Sequence, residues 1–184
     1  MNKTLLIIVA VIIIAVGGFL VWQNQGEGPA QTPTQGEKYQ STQNGISFEY
    51  PDSYDLTERT DSFEGNTISV ITLIPAGVQI PDMSEGPAGM SLIVIPAGTT
   101  SLESFVRTKS IANFNLSPDE TLAPTTISGE QAFSYRYSGL YENDAVAVMH
   151  NGRIYLFSGA WIAADDQIRE DFSSLLDSVT FLAQ

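Results

Sequence analysis

The sequence predicts an α+β fold: a central antiparallel sheet of about six strands with helices on both faces, preceded by one N-terminal transmembrane helix. Three observations carry that expectation. Thr67 to Ile74 and Met90 to Ile95 are apolar at nearly every position, as strands are when both faces of their sheet are covered. Turn dipeptides, Asn44-Gly45 and Asn151-Gly152, each stand between runs of strand-forming residues. Leu5 to Trp22, LLIIVAVIIIAVGGFLVW, holds no charged residue and is about as long as a helix needs to be to cross a hydrocarbon core.

That apolar run makes residues 1–22 an N-terminal membrane anchor. Lys3 and the amino terminus lie on its short side, and the bias toward positive charge inside puts them in the cytoplasm. The chain is then a single-pass protein of the cytoplasmic membrane with its C-terminal domain outside the cytoplasm. A cleaved signal peptide is the rival reading. The run is longer than the usual signal core, and Gly28-Pro29-Ala30 is a poor small-residue cleavage site because of its proline. Residues 23–38 mix Gly, Pro, Gln and Thr without apolar periodicity, so nothing in them offsets the entropy of ordering, and they read as a flexible linker. A coil of that length reaches about 20 Å. Residues 39–184, roughly 145 in number, are the size of one ordinary domain.

Within the domain, Tyr39 to Thr42 and Ile46 to Tyr50 flank Asn44-Gly45, and Pro51 ends their pairing because it has no N–H to donate. A strand from Tyr54 to Arg59 joins Thr67 to Ile74 through Glu64-Gly65-Asn66. Pro75 to Gly89 is too rich in Pro and Gly to be regular. After Met90 to Ile95, Thr100 and Glu103 suit a capping box, and Leu102, Phe105 and Val106 share one face of a short helix ending near Asn113. Thr121 to Ile127 and Gln131 to Ser138 are joined by Ser128-Gly129-Glu130, and Phe133, Tyr135 and Tyr137 alternate with smaller or polar residues. Tyr141 to His150 and Arg153 to Trp161 form the clearest hairpin. A last helix starts near Asp165, with Ile168, Phe172, Leu175 and Leu176 at helical spacing, and Ser178 to Leu182 closes the fold as a strand.

The formal net charge of −13 repels phosphate backbones, so no nucleic acid is expected as a partner. The absence of cysteine excludes disulfides, thiolate metal sites, a cysteine nucleophile and a lipid-modified cysteine. His150, the single histidine, stands beside a turn, and no Gly-x-Ser-x-Gly motif accompanies it, so it reads as an exposed turn residue. With one histidine a zinc or copper site is not expected. Asp61, Glu64 and Asn66 share a loop with Gly65 but miss the calcium-loop spacing. Asp52 with Asp55, and Asp82 with Glu85, read as turn and loop residues. The repeated Ile-Pro-Ala-Gly after two strands lacks the lysine of a nucleotide loop. No residue is therefore assigned to catalysis, a cofactor or a metal. Tyr135, Tyr137, Tyr141, Tyr155 and Trp161 remain as a candidate interaction surface, since Tyr and Trp are the types most often found at binding hot spots, although packing of the sheet is the favoured explanation of them.

Three stretches carry a family resemblance. Gly45-Ile46-Ser47-Phe48-Glu49-Tyr50-Pro51, the later Asn151 to Trp161, and Phe172 to Phe181 together resemble the PsbP-like family, the PsbP/Mog-type α+β fold, in the form of a bacterial exported member. The resemblance implies a central antiparallel sheet of about six strands with helices on both sides. It also implies proteins that act by docking on other macromolecules, and it supplies no catalytic residues to carry over. The function expected is a membrane-anchored, extracytoplasmic, non-catalytic interaction module that binds an envelope protein or a surface component. A small-molecule or calcium sensor domain, and a carboxylate-dependent hydrolase of a cell-envelope polymer, are the competing expectations.

Overall fold

The structure, a computed structural model, describes residues 36–78 and 86–183. The anchor expected at 1–22, and the linker expected at 23–38 up to residue 35, lie outside the described residues. Among those that are described, no helix is long and apolar enough to cross a membrane.

The order of elements is β1 (Glu37–Ser41), β2 (Ile46–Tyr50), β3 (Tyr54–Phe63), β4 (Asn66–Pro75), β5 (Met90–Pro96), α1 (Leu102–Thr108), two 3₁₀ turns (Ser110–Ala112 and Phe114–Leu116), β6 (Ala123–Ile127), β7 (Glu130–Ser138), β8 (Glu142–His150), β9 (Arg153–Trp161), α2 (Gln167–Ser178) and β10 (Thr180–Phe181). Seven strands make one antiparallel sheet in the order β3-β4-β5-β9-β8-β7-β6. The remaining three form a separate small sheet, β1-β2-β10. One sheet of about six strands is thus corrected to seven plus three. The physical reason lies in β2, where four of five residues are buried, so it is an inner strand of a covering layer and not an edge of the large sheet.

Period-two alternation sorts the large sheet into two faces. On one face Ile71, Leu73, Leu92, Val94, Tyr155 and Phe157 pack against Ile46 and Phe48 of the small sheet and Phe172 and Leu175 of α2. On the other, Ile68, Val70, Ile95, Ile154 and Leu156 pack against Phe105 and Val106 of α1 and Ala112 and Phe114 of the 3₁₀ turns. The apolar runs of β4 and β5 are shielded on both sides, as their sequence demands, and complete burial of each such side chain contributes roughly 1.5–3 kcal/mol. Gly159 lets α2 approach β9: a Cβ there would lie 2.8 Å from Phe172 Cγ.

Local details depart from expectation where side chains find other partners. Asn44-Gly45 is not a two-residue turn, because Ser41 pairs with Ile46 and four residues make the connection. The Asn44 side chain is drawn inward, only 3% exposed, and its Nδ2 donates to Tyr39 Oη and Glu58 Oε1, both at 2.8 Å. Its Oδ1 accepts from Ser69 Oγ at 2.8 Å, and its carbonyl accepts from Tyr155 Oη at 2.8 Å. Ser101, not Thr100, caps α1, its Oγ accepting from Ser104 N. That helix stops at Thr108, short of Asn113, because Lys109 is extended. Asp166, not Asp165, precedes α2, and its carboxylate turns back to accept from the N–H groups of Ile162 and Ala163. Those two donors hold the Asp166 pKa below the ordinary carboxylate value. The hairpin at Asn151-Gly152 forms as expected, with both residues at positive φ.

Candidate functional site

The strand register decides which of the candidate aromatics meet. Ser138 pairs with Glu142, and Glu142 with Trp161, so the β7–β8 turn and the last residues of β9 share one end of the large sheet. Tyr137, Tyr141 and Trp161 lie at or beside that end. Tyr135 and Tyr155 do not join them as surface. Tyr135 is 5% exposed and donates its hydroxyl to the Ala112 carbonyl at 2.7 Å, and burial pushes its pKa well above the ordinary tyrosine value. Tyr155 is 1% exposed on the opposite face of the sheet. The five side chains therefore line no common groove, and two of them are core.

Around Trp161 the structure assembles a charged cluster that single-residue reasoning does not reveal. Asp144 accepts from Arg136 Nε and from Arg169 Nε, each at 2.8 Å. The two guanidinium groups face the indole, with Cζ of Arg169 4.5 Å and Cζ of Arg136 5.9 Å from the ring centroid. Both distances suit cation–π attraction. Arg169 also donates Nη1 to the Ala164 carbonyl, which fixes its fork. Trp161 Nε1 is buried without a hydrogen-bond partner. Arg136, Asp144 and Arg169 help to line an open groove of about 460 Å³ between α2 and β6–β8, which Asp119 also lines. The Asp119 carboxyl is held below its usual pKa chiefly by the Thr121 N–H.

The same end carries the two most exposed large hydrophobic side chains described: Leu140, in the β7–β8 turn, and Ile162, which follows Trp161, at 59% and 73%. Tyr141 steadies the turn by donating its hydroxyl to the Gly86 carbonyl at 2.9 Å. Each of these apolar groups would gain by removal from water. Alternation patterns could not point to Leu140 or Ile162, because both stand outside the strands. Arg136, Asp144 and Arg169 come together only once β7, β8 and α2 are in register.

Other candidates have local partners. His150 is not a free turn residue: its Nδ1 lies 2.8 Å from Glu130 Oε1, and its ring stacks on Phe181 with centroids 4.4 Å apart. Asp61 accepts from Arg59 and from Ser62 N, while Glu64 pairs with Lys109. Asp55 accepts weakly from Gly77 N, and Asp82 and Glu85 lie outside the described residues. Among the described residues there is no group of three or more His, Asp or Glu arranged to hold a metal ion.

No family model and no curated protein matches the sequence. Solved structures do. The cyanobacterial PsbP (CyanoP) of Synechocystis sp. PCC 6803 is 14% identical with a TM-score of 0.52, over 85% of this chain and 98% of CyanoP. A protein of Bacteroides thetaiotaomicron VPI-5482 is 9% identical with a TM-score of 0.52, over 82% of this chain and 50% of its own. At such identities the likeness is one of fold alone, and with the layered arrangement above it establishes that the domain has a PsbP-like fold.

Proposed function

We propose that the chain is a membrane-anchored, extracytoplasmic interaction module that performs no reaction and docks on an envelope protein through the Trp161 end of its large sheet. The observation that carries the proposal is the meeting of Leu140 and Ile162, both well exposed, with Tyr141 and the arginine-flanked Trp161 at one end. Apolar side chains beside Trp, Tyr and Arg are the composition of binding hot spots. The charge-free run Leu5 to Trp22 supports placement beside a membrane.

The test is site-directed photocrosslinking in cells, with the probe placed in turn at Leu140, Ile162 and, as a control, Thr57 on the distant edge strand β3. The expected result is one discrete adduct shared by the first two positions and absent from the third. Ile162→Asp should abolish it when the probe sits at Leu140. Adducts of equal strength at Thr57, or none from either tip position, would defeat the docking assignment. Recovery of the full-length chain in the soluble fraction would defeat the anchoring part.

A further inference from the structure

Strand β9 begins and ends on a buried nitrogen without a partner: Nη1 of Arg153 at its start, and Nε1 of Trp161 at its finish. Arg153 is the more telling. The other arginines described each donate to a carboxylate within 2.9 Å: Arg59 to Asp61, Arg107 to Glu103, and both Arg136 and Arg169 to Asp144. Arg153 has no carboxylate within ion-pair distance among the described residues, although the chain's net charge is −13. Neighbouring acids are occupied. Glu130 is held by His150, which is paired with Arg153 across the hairpin, and Glu58 is held by Tyr39 and Asn44. A half-buried guanidinium without an anion is costly to keep, and the neutral Tyr155 hydroxyl beside it offsets only part of that cost.

The surroundings of Arg153 are an open pocket of about 240 Å³ with a mixed polar and apolar lining, at the end of the sheet remote from Trp161. Its lining brings together Arg153, Gln43 and Asn44, the hydroxyl residues Thr67 and Ser69, and the apolar Val94 and Ile95. The Asn44 and Ser69 side chains are fixed by their mutual hydrogen bond, while no hydrogen bond occupies the Thr67 hydroxyl or the Gln43 amide among the described residues. A guanidinium beside a hydroxyl and an amide donor is the complement of a planar, two-oxygen anion, which takes N–H bonds from arginine and one more donor at its side. The volume suits a group of a few heavy atoms and is below the usual range for larger ligands.

We infer that the Arg153 pocket binds a carboxylate group, with the guanidinium as its anchor and Thr67 and Gln43 as flanking donors. The carboxylate can arrive on a small free acid or at the C-terminus of a peptide, and the two sources are separable by experiment. This inference does not rest on the docking role of the opposite end.

The experiment is a titration of the full-length chain in detergent with acetate, succinate, trialanine and trialanine amide, read by melting temperature and by calorimetry. Inorganic phosphate serves as a competing oxyanion. A saturable rise in melting temperature with the free acids or with trialanine, but not with its amide, is the expected result. Arg153→Gln should weaken that binding by roughly tenfold or more, the scale of a lost charge-assisted hydrogen bond. Thr67→Val should weaken it by a smaller factor without altering the unliganded melting temperature, and it decides the matter if Arg153→Gln fails to fold. Response to the free acids alone assigns the site to a metabolite-sized ligand, and response to trialanine alone assigns it to a peptide terminus. A response that Arg153→Gln and Thr67→Val leave unchanged, a preference for phosphate, or no response to any carboxylate would overturn the inference.

Discussion

Asn44→Ala is the perturbation whose magnitude the structure defines best. The Asn44 side chain makes three hydrogen bonds of 2.8 Å, to Tyr39, Glu58 and Ser69, and is almost wholly buried. Two go to neutral groups, at about 1 kcal/mol net each, and the one to the Glu58 carboxylate contributes about 1.5–3 kcal/mol. Glu58 itself is exposed and can recover water, which favours the lower end of that range. Ser69 is buried and cannot, so its hydroxyl is left unpaired beneath the β1–β2 connection. The sum is a loss of about 3–4 kcal/mol, a large share of the 5–15 kcal/mol typical of a domain. In urea unfolding of the full-length chain followed by circular dichroism, the midpoint should fall by roughly 1.5–2 M at an unchanged slope, taking a slope of about 2 kcal/mol per molar. Asn44→Asp should be no better, since it sets a second carboxylate against Glu58. A loss for Asn44→Ala below about 1 kcal/mol, or one no larger than that of Ser69→Ala, would refute the view that this side chain ties the small sheet to the large one.

Three further outcomes are expected. Gly159→Ala puts a methyl group 2.8 Å from Phe172 Cγ and should cost about 1–3 kcal/mol in the wild-type background but less in a Phe172→Ala background, which lacks that Cγ; additive losses in unfolding titrations would contradict that contact. Asp144→Ala leaves Arg136 and Arg169 without their shared acceptor and should destabilise by about 1–2 kcal/mol, with a change in Trp161 emission as the guanidinium groups shift on the ring; a Trp161→Phe background shows whether the change in emission belongs to this indole. Tyr39, Tyr50, Tyr54, Tyr135 and Tyr155 are all held above the ordinary tyrosine value, in each case first by burial. Their protons are bound more tightly in the folded than in the unfolded chain, so folding stability should decline once the pH climbs past about 10, the unfolded value. Absorbance near the phenolate band should report these groups ionising together with the loss of circular dichroism, and reversible ionisation of all five in the folded state would contradict their burial.

Much of the fold was legible because the large sheet is covered on both sides. Strands β4 and β5 have no wet face, so their sequences carry no polar alternation, and the two helices that follow have single apolar faces to cover them. The Asn151-Gly152 hairpin was legible because its turn is built from residues that adopt positive φ with little strain. The partition into two sheets was not. Five-residue strands such as β1 and β2 look alike whether they extend a sheet or lie across it, and only the burial of Ser47 beside Ile46 and Phe48 gives the difference away. Candidate site residues divided along the same line. Trp161 and Tyr141 were found by type, but Arg136, Asp144 and Arg169 are joined across separations of 8 and 25 residues by strand register. Asn44 was read as a turn residue because nothing local betrays that its amide points toward Glu58 and Ser69.

The small sheet has a consequence for how the molecule comes into being. Its middle strand, β2, pairs on one side with β1 and on the other with β10, so the earliest and latest parts of the domain are sewn into one layer. Phe181, stacked on His150 and leaning on Tyr155, belongs to the strand that closes this layer. Until β10 is in place, β2 keeps a bare flank and the core beneath it stays open, so the layer closes only through a contact distant in sequence. A domain laced in this way cannot complete its interior from its leading end alone.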